Sequence, residues 1–211
     1  MSRVAQLLTL AAVASCAGCS LPVSVHPLTD QATSTIDERL IGHWETLKLG
    51  GEIDAGKDPQ RFVIGRVQDK AKVLEMVGLE LDGDTVKVNR TPAFATKLGD
   101  ECYLSILNNP EEPKEKHVYL IQLYRVEDDR LKLFFMRPDV IGPAIERGDL
   151  AGEVVREPPD ESAPPPEQVK PKYKSIKITA SSKELAAYLT PRGTLPFHTQ
   201  EFFQFRRVEP N

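Results

Sequence analysis

His117-Val118-Tyr119-Leu120-Ile121-Gln122-Leu123-Tyr124-Arg125-Val126, then Glu127-Asp128-Asp129-Arg130, then Leu131-Lys132-Leu133-Phe134-Phe135-Met136, is the stretch that decides the fold. The first run is apolar at nearly every position. A strand of that kind is central or covered, because both of its faces must leave water. The acidic Glu127-Asp128-Asp129 turn then reverses the chain into a second apolar run, which makes a hairpin. Aromatic and aliphatic residues in this pair exceed what a half-buried strand needs. Two explanations follow: an apolar lumen, or helices laid over the outside.

Similar units extend outward along the chain. Thr85-Val86-Lys87-Val88-Asn89 alternates apolar and polar residues, the mark of a half-buried strand. Asp82-Gly83-Asp84 joins it to Val73–Leu81 by a tight turn. His43–Leu49, Gln60–Val67, Ala93–Leu98, Tyr103–Leu107, Ser175–Thr179 and Phe202–Val208 complete a set of roughly eight to nine strands, most joined to their sequence neighbours. The expected fold is mainly β. An antiparallel meander of this size removes its edges by closing into a barrel or a strongly curved sheet.

Helices are few. Ser181-Ser182-Lys183-Glu184 has capping-box spacing and opens Ser-Lys-Glu-Leu-Ala-Ala-Tyr-Leu, with Leu185, Ala186 and Leu189 on one stripe and Gly193 as the stop. A second helix is expected within Asp139–Arg147. Pro143 either starts it or sits inside it at the loss of one backbone bond. A third short turn, Thr35 to Leu40, leads into the first strand. Glu157 to Pro171 (EPPDESAPPPEQVKP) is too rich in proline and acid to build a core and is expected as an exposed loop.

The leader, Met1 to Ser20, reads as a secretory signal. Arg3 precedes an apolar run, Val4 to Val13, far short of the ~20 residues that span a membrane. Small residues and cysteines follow. Val13-Ala14-Ser15-Cys16 and Cys16-Ala17-Gly18-Cys19 both resemble the bacterial lipoprotein box. Cys19 is the preferred lipid-attachment residue, with Cys16 as the alternative. An ordinary signal peptide cut near Ala17 is the other reading. The resemblance implies diacylglycerol on the cysteine thiol. With Ser20 instead of aspartate after the cysteine, it also implies sorting to the outer membrane, facing the periplasm. The expected organisation is a signal peptide over 1–18, a polar tether over 19–35, and one barrel-like domain over 36–211 with its Pro-rich loop at 157–171.

Ile41-Gly42-His43-Trp44 opens the first strand and contains the only tryptophan. On the last strand, alternation puts Phe203, Phe205 and Arg207 on one face and Arg206 on the other. Here the chain resembles the calycins, the lipocalins and their relatives. Those carry Gly-x-Trp on strand one and an arginine from the last strand packed over the tryptophan. The resemblance implies a barrel floor built from Gly42, Trp44 and Arg207. The Asp-Glu-Arg-Leu-Ile-Gly-x-Trp and Phe-Arg-Arg-Val segments are also similar to small, uncharacterised bacterial lipoproteins.

The remaining residues mostly exclude functions. The formal charge is −4 with mixed signs, which leaves no electrostatic footprint for nucleic acid. His26, His43, His117 and His198 show no metal-ligand spacing, so no metal or cofactor is expected. No nucleophile elbow, phosphate-cradling loop or dinucleotide fingerprint occurs, and a non-catalytic protein is expected. Of three cysteines, Cys102 alone lies beyond the leader; it reads as a small buried hydrophobe, with no disulfide. Two functions stand. One is a lipid-anchored barrel that binds a small hydrophobic ligand or lipid. The other is a structural or interaction lipoprotein of the envelope with a filled core. A monomer is assumed in both.

Overall fold

The structure is a computed structural model and describes residues 21–49, 61–70, 72–82, 85–158, 172–200 and 202–209. Eleven strands form one sheet: β1 (Val23–Ser24), β2 (Gly42–Leu49), β3 (Arg61–Arg66), β4 (Leu74–Asp82), β5 (Thr85–Leu98), β6 (Glu101–Leu107), β7 (Tyr119–Glu127), β8 (Arg130–Phe135), β9 (Gly152–Arg156), β10 (Tyr173–Ile178) and β11 (Phe203–Val208). Two α-helices accompany them, α1 (Pro138–Glu146) and α2 (Ser182–Leu189).

Strands β2 to β8 form an antiparallel meander. β11 pairs with both β8 and β2, and with the β6–β7 pairing this closes an eight-stranded barrel. Closure leaves no free edge around the ring. The sheet then branches. Ser24 of β1 pairs with Tyr119 at the start of β7, and β1 runs parallel to β10, which carries β9 at its far side.

There are two cores, and β7 faces both. Leu120 and Tyr124 point into the barrel with Trp44, Leu74, Leu104, Leu133, Phe135 and Phe205. Ile121 and Leu123 point outward, to a second core with Ile141, Ile145, Tyr173, Ile176, Leu185 and Leu189 of the helices and the β9–β10 branch. The apolar excess on β7 therefore has two causes at once: the barrel core on one side and a helical cover on the other.

Local chemistry explains the helices. Ser181 caps α2: its Oγ accepts from the Glu184 amide, and the Glu184 carboxylate accepts from the Ser181 amide. Helix α1 starts with Pro138 in its first turn and keeps Pro143 inside, so the bond from residue 143 to the Asp139 carbonyl is not made. It packs close to β10: a Cβ on Gly142 would overlap the Tyr173 ring.

Several expectations are corrected. The segment 21–35 is not a free tether. Its Val23–Ser24 is a strand, and Leu28 is buried with its amide donating to Ser105 Oγ at 3.0 Å. Thr29 and Thr96 share a 2.6 Å hydroxyl contact, Ser34 Oγ donates to the Lys72 carbonyl at 2.6 Å, and the Thr35 amide donates to Ala95. Thr29, Ser34 and Thr35 thus tie the stretch to the body, which its composition alone does not reveal. The two strands expected at Thr85–Asn89 and Ala93–Leu98 are one, β5, running through Pro92. Its pairing with β6 begins only at Ala93, so a donor missing on that side at Pro92 removes no ladder bond. Strand β9 has only two apolar residues and Val155 is exposed, which hid it from periodicity. The signal peptide, Cys16 and Cys19 lie outside the described residues, as does the Pro-rich loop apart from Glu157 and Pro158.

Candidate functional site

One end of the barrel is a floor built from the turn that precedes β2. Asp37 caps a short 3-10 turn, Glu38–Leu40, through the Arg39 amide. The Leu40 side chain is fully buried in the barrel core, and its carbonyl accepts from the Trp44 indole Nε1 at 2.8 Å. Arg207, paired in register with Trp44 on the neighbouring strand, lays its guanidinium 4.5 Å from the indole ring centre. Its Nη1 donates to the Ile41 carbonyl at 2.6 Å and its Nη2 to the Arg39 carbonyl. Gly42 lies directly beneath, at φ +149°; a Cβ there would overlap Arg207 Nη1. The structure thus brings Gly42, Trp44 and Arg207 to one place.

The floor continues to β7. The Tyr124 hydroxyl donates to Asp37 Oδ2 at 2.9 Å, and Arg39 grips the same carboxylate with two hydrogen bonds. Burial alone would raise the Asp37 pKa, but the donors from Arg39 and Tyr124 outweigh it and hold the carboxyl below its usual value. Burial and the Asp37 charge push the Tyr124 phenol up, so it stays a neutral donor. Cys102 is half-buried on the inner side of β6, packed against the barrel core and free of any disulfide.

The opposite end, where β7 and β11 begin and β8 ends, is aromatic. Phe62 meets Phe205 edge-on at 4.8 Å, and Phe205 stacks on Phe203 at 5.8 Å. Phe203 contacts Phe135 and Phe202 at 5.5 and 5.0 Å. Phe62 and Phe202 are half-buried at this rim, and Leu21 and Val23, the latter in β1, pack against the barrel core. On the inner side of β4, an added Cβ at Gly78 would meet no described heavy atom within 4 Å.

Between floor and rim sits Gln122. Its neighbours Leu120 and Tyr124 face the lumen, as do its register partners Leu104 and Phe135, so alternation aims it inward. It is 0% exposed, and neither its Oε1 nor its Nε2 has a hydrogen-bond partner among the described residues. Sequence reading passed over it as one polar residue in an apolar run. The signal available was its parity with Leu120 and Tyr124.

No family model matches the chain. No curated protein and no solved structure matches it either.

The site therefore stands on its own geometry. Among the described residues no group of three or more histidine, cysteine, aspartate or glutamate side chains could hold a metal, and no helix is long and apolar enough to cross a membrane. Inside the barrel, the Gln122 amide is orphaned among the described residues, and phenylalanine contacts lead from Phe135 to the rim.

Proposed function

We propose that this is a membrane-anchored bacterial lipoprotein whose calycin-like barrel binds a small hydrophobic ligand or lipid. The observation that carries the reading is the asymmetry of the lumen. One end is stapled shut by Leu40, Trp44 and Arg207, while the other is walled by Phe62, Phe135, Phe202, Phe203 and Phe205. A floor of this kind lets strands enclose a cavity without collapsing, and aromatic walls supply apolar contact area.

The anchor fits the same reading. Only Ser20 separates Cys19 from Leu21, which packs on the barrel core just before β1, and β1 pairs with Tyr119 at the start of β7, the rim end. With residues 21–35 bound to the body, a lipid on Cys19 holds the phenylalanine end close to the bilayer, and membrane-derived amphiphiles have a short path to it. Ser20 after the cysteine favours the outer membrane, facing the periplasm. The protein acts as a non-catalytic monomer without cofactor.

The test is binding of the neutral fluorescent probe N-phenyl-1-naphthylamine to the purified protein. Saturable binding near one probe per chain is expected, weakened several-fold in Phe202→Ser. A lumen that takes no probe sinks the carrier reading and leaves an envelope interaction protein with a filled core.

A further inference from the structure

We infer that Gln122 is the head-group receptor of the lumen, and that the ligand is a neutral single-chain amphiphile whose head both donates and accepts hydrogen bonds. This rests on the carrier reading above. A carboxamide offers two N–H donors and a carbonyl acceptor. Here both ends lack a partner among the described residues, in a wall of Leu104, Leu120, Tyr124 and Phe135. An amide left so costs more than an apolar residue of the same shape, so the position is explained by a partner that comes and goes.

The surroundings set the partner's charge. The nearby Tyr124 hydroxyl is committed to Asp37, and the Arg207 guanidinium is committed to the Arg39 and Ile41 carbonyls at the floor. Neither is free to neutralise a carboxylate beside Gln122, and burying an uncompensated anion is prohibitive. A hydroxyl, a primary amide or a protonated carboxyl satisfies both the carbonyl and the NH2 without charge. The tail's direction follows as well. Gln122 is paired with Phe135, which contacts Phe202 and Phe203, so an alkyl chain leaving the amide runs along the phenylalanines to the rim.

The experiment is displacement of N-phenyl-1-naphthylamine by 1-decanol, decanamide and 1-chlorodecane, with wild type, Gln122→Met and Gln122→Leu compared. Wild type is expected to prefer the alcohol and the amide over the chloroalkane by ~10-fold, as one well-made buried hydrogen-bond set provides. Both variants are expected to bind all three within ~2-fold of one another and, without ligand, to melt no lower than wild type, since the orphaned amide is gone. Probe binding with no head-group preference in wild type would overturn the inference while leaving the carrier reading intact. So would a preference that survives in both variants, or a crystal structure showing a trapped water only on Gln122 with alcohols present. If the probe does not bind at all, the carrier reading fails and takes this inference with it.

Discussion

At the floor of the barrel the Trp44 indole and the Arg207 guanidinium both donate to backbone carbonyls of the same short turn, and Gly42 is small enough to let the arginine lie flat. Half-way to the rim, the Gln122 amide is fully buried and has no partner among the described residues. The same sheet thus holds polar atoms that staple and polar atoms that wait. Groups whose hydrogen bonds close within the chain belong to stability. A group left open inside the barrel calls for a partner, and the partner proposed for it is a bound head group.

Substitutions can separate the two regions, and the largest effect belongs to the floor. Trp44→Ala is expected to cost ~3–5 kcal/mol in urea unfolding, from the cavity and the lost stack on Arg207. Gly42→Ala is expected to cost ~1–3 kcal/mol, since it forces a positive φ on an L-residue and displaces the Arg207 guanidinium. At the rim, Phe202→Ala is expected to change stability by less than Trp44→Ala does, because the ring is only partly buried, while probe affinity falls several-fold. An unfolding cost at Phe202 matching that at Trp44 would erase the distinction.

The smallest effect lies on the outer wall. Glu45 accepts from Arg206 and Arg61, whose donors hold its carboxyl below the usual value. A folded pKa below the unfolded one contributes stability at neutral pH that is lost as the pH falls through the folded value. Both arginines are more than half exposed, so the pair is worth only ~0.5–1 kcal/mol. Glu45→Gln is expected to lower stability by that amount at pH 7 and by progressively less as the pH falls through the folded carboxyl value, read from paired urea titrations.

Much of the architecture was legible in the residues. Turn chemistry at Asp82–Asp84 and Glu127–Asp129 and the period-2 runs give most of the meander. The resemblance to the calycins implied a floor of Gly42, Trp44 and Arg207, with alternation on the last strand selecting Arg207 over Arg206. What escaped has physical causes. Strand β9 is a short edge with few apolar residues, and period alone cannot see it. Pro92 looks like a break, yet β5 continues because its pairing to β6 starts one residue later. Residues 21–35 are held by side-chain hydroxyls reaching partners 38 to 77 positions away, which no local window contains. Gln122 needed the two-core arrangement before its direction had meaning: only when Ile121 and Leu123 are seen to face the helices does the amide between them face the lumen.

The most direct measurement is mass spectrometry of an organic extract from the protein purified without detergent. A neutral amphiphile near one molecule per chain in wild type, and its loss in Gln122→Met, is the expected result. An empty wild-type extract, together with no uptake of N-phenyl-1-naphthylamine, would contradict a binding lumen and leave the barrel as a packed scaffold.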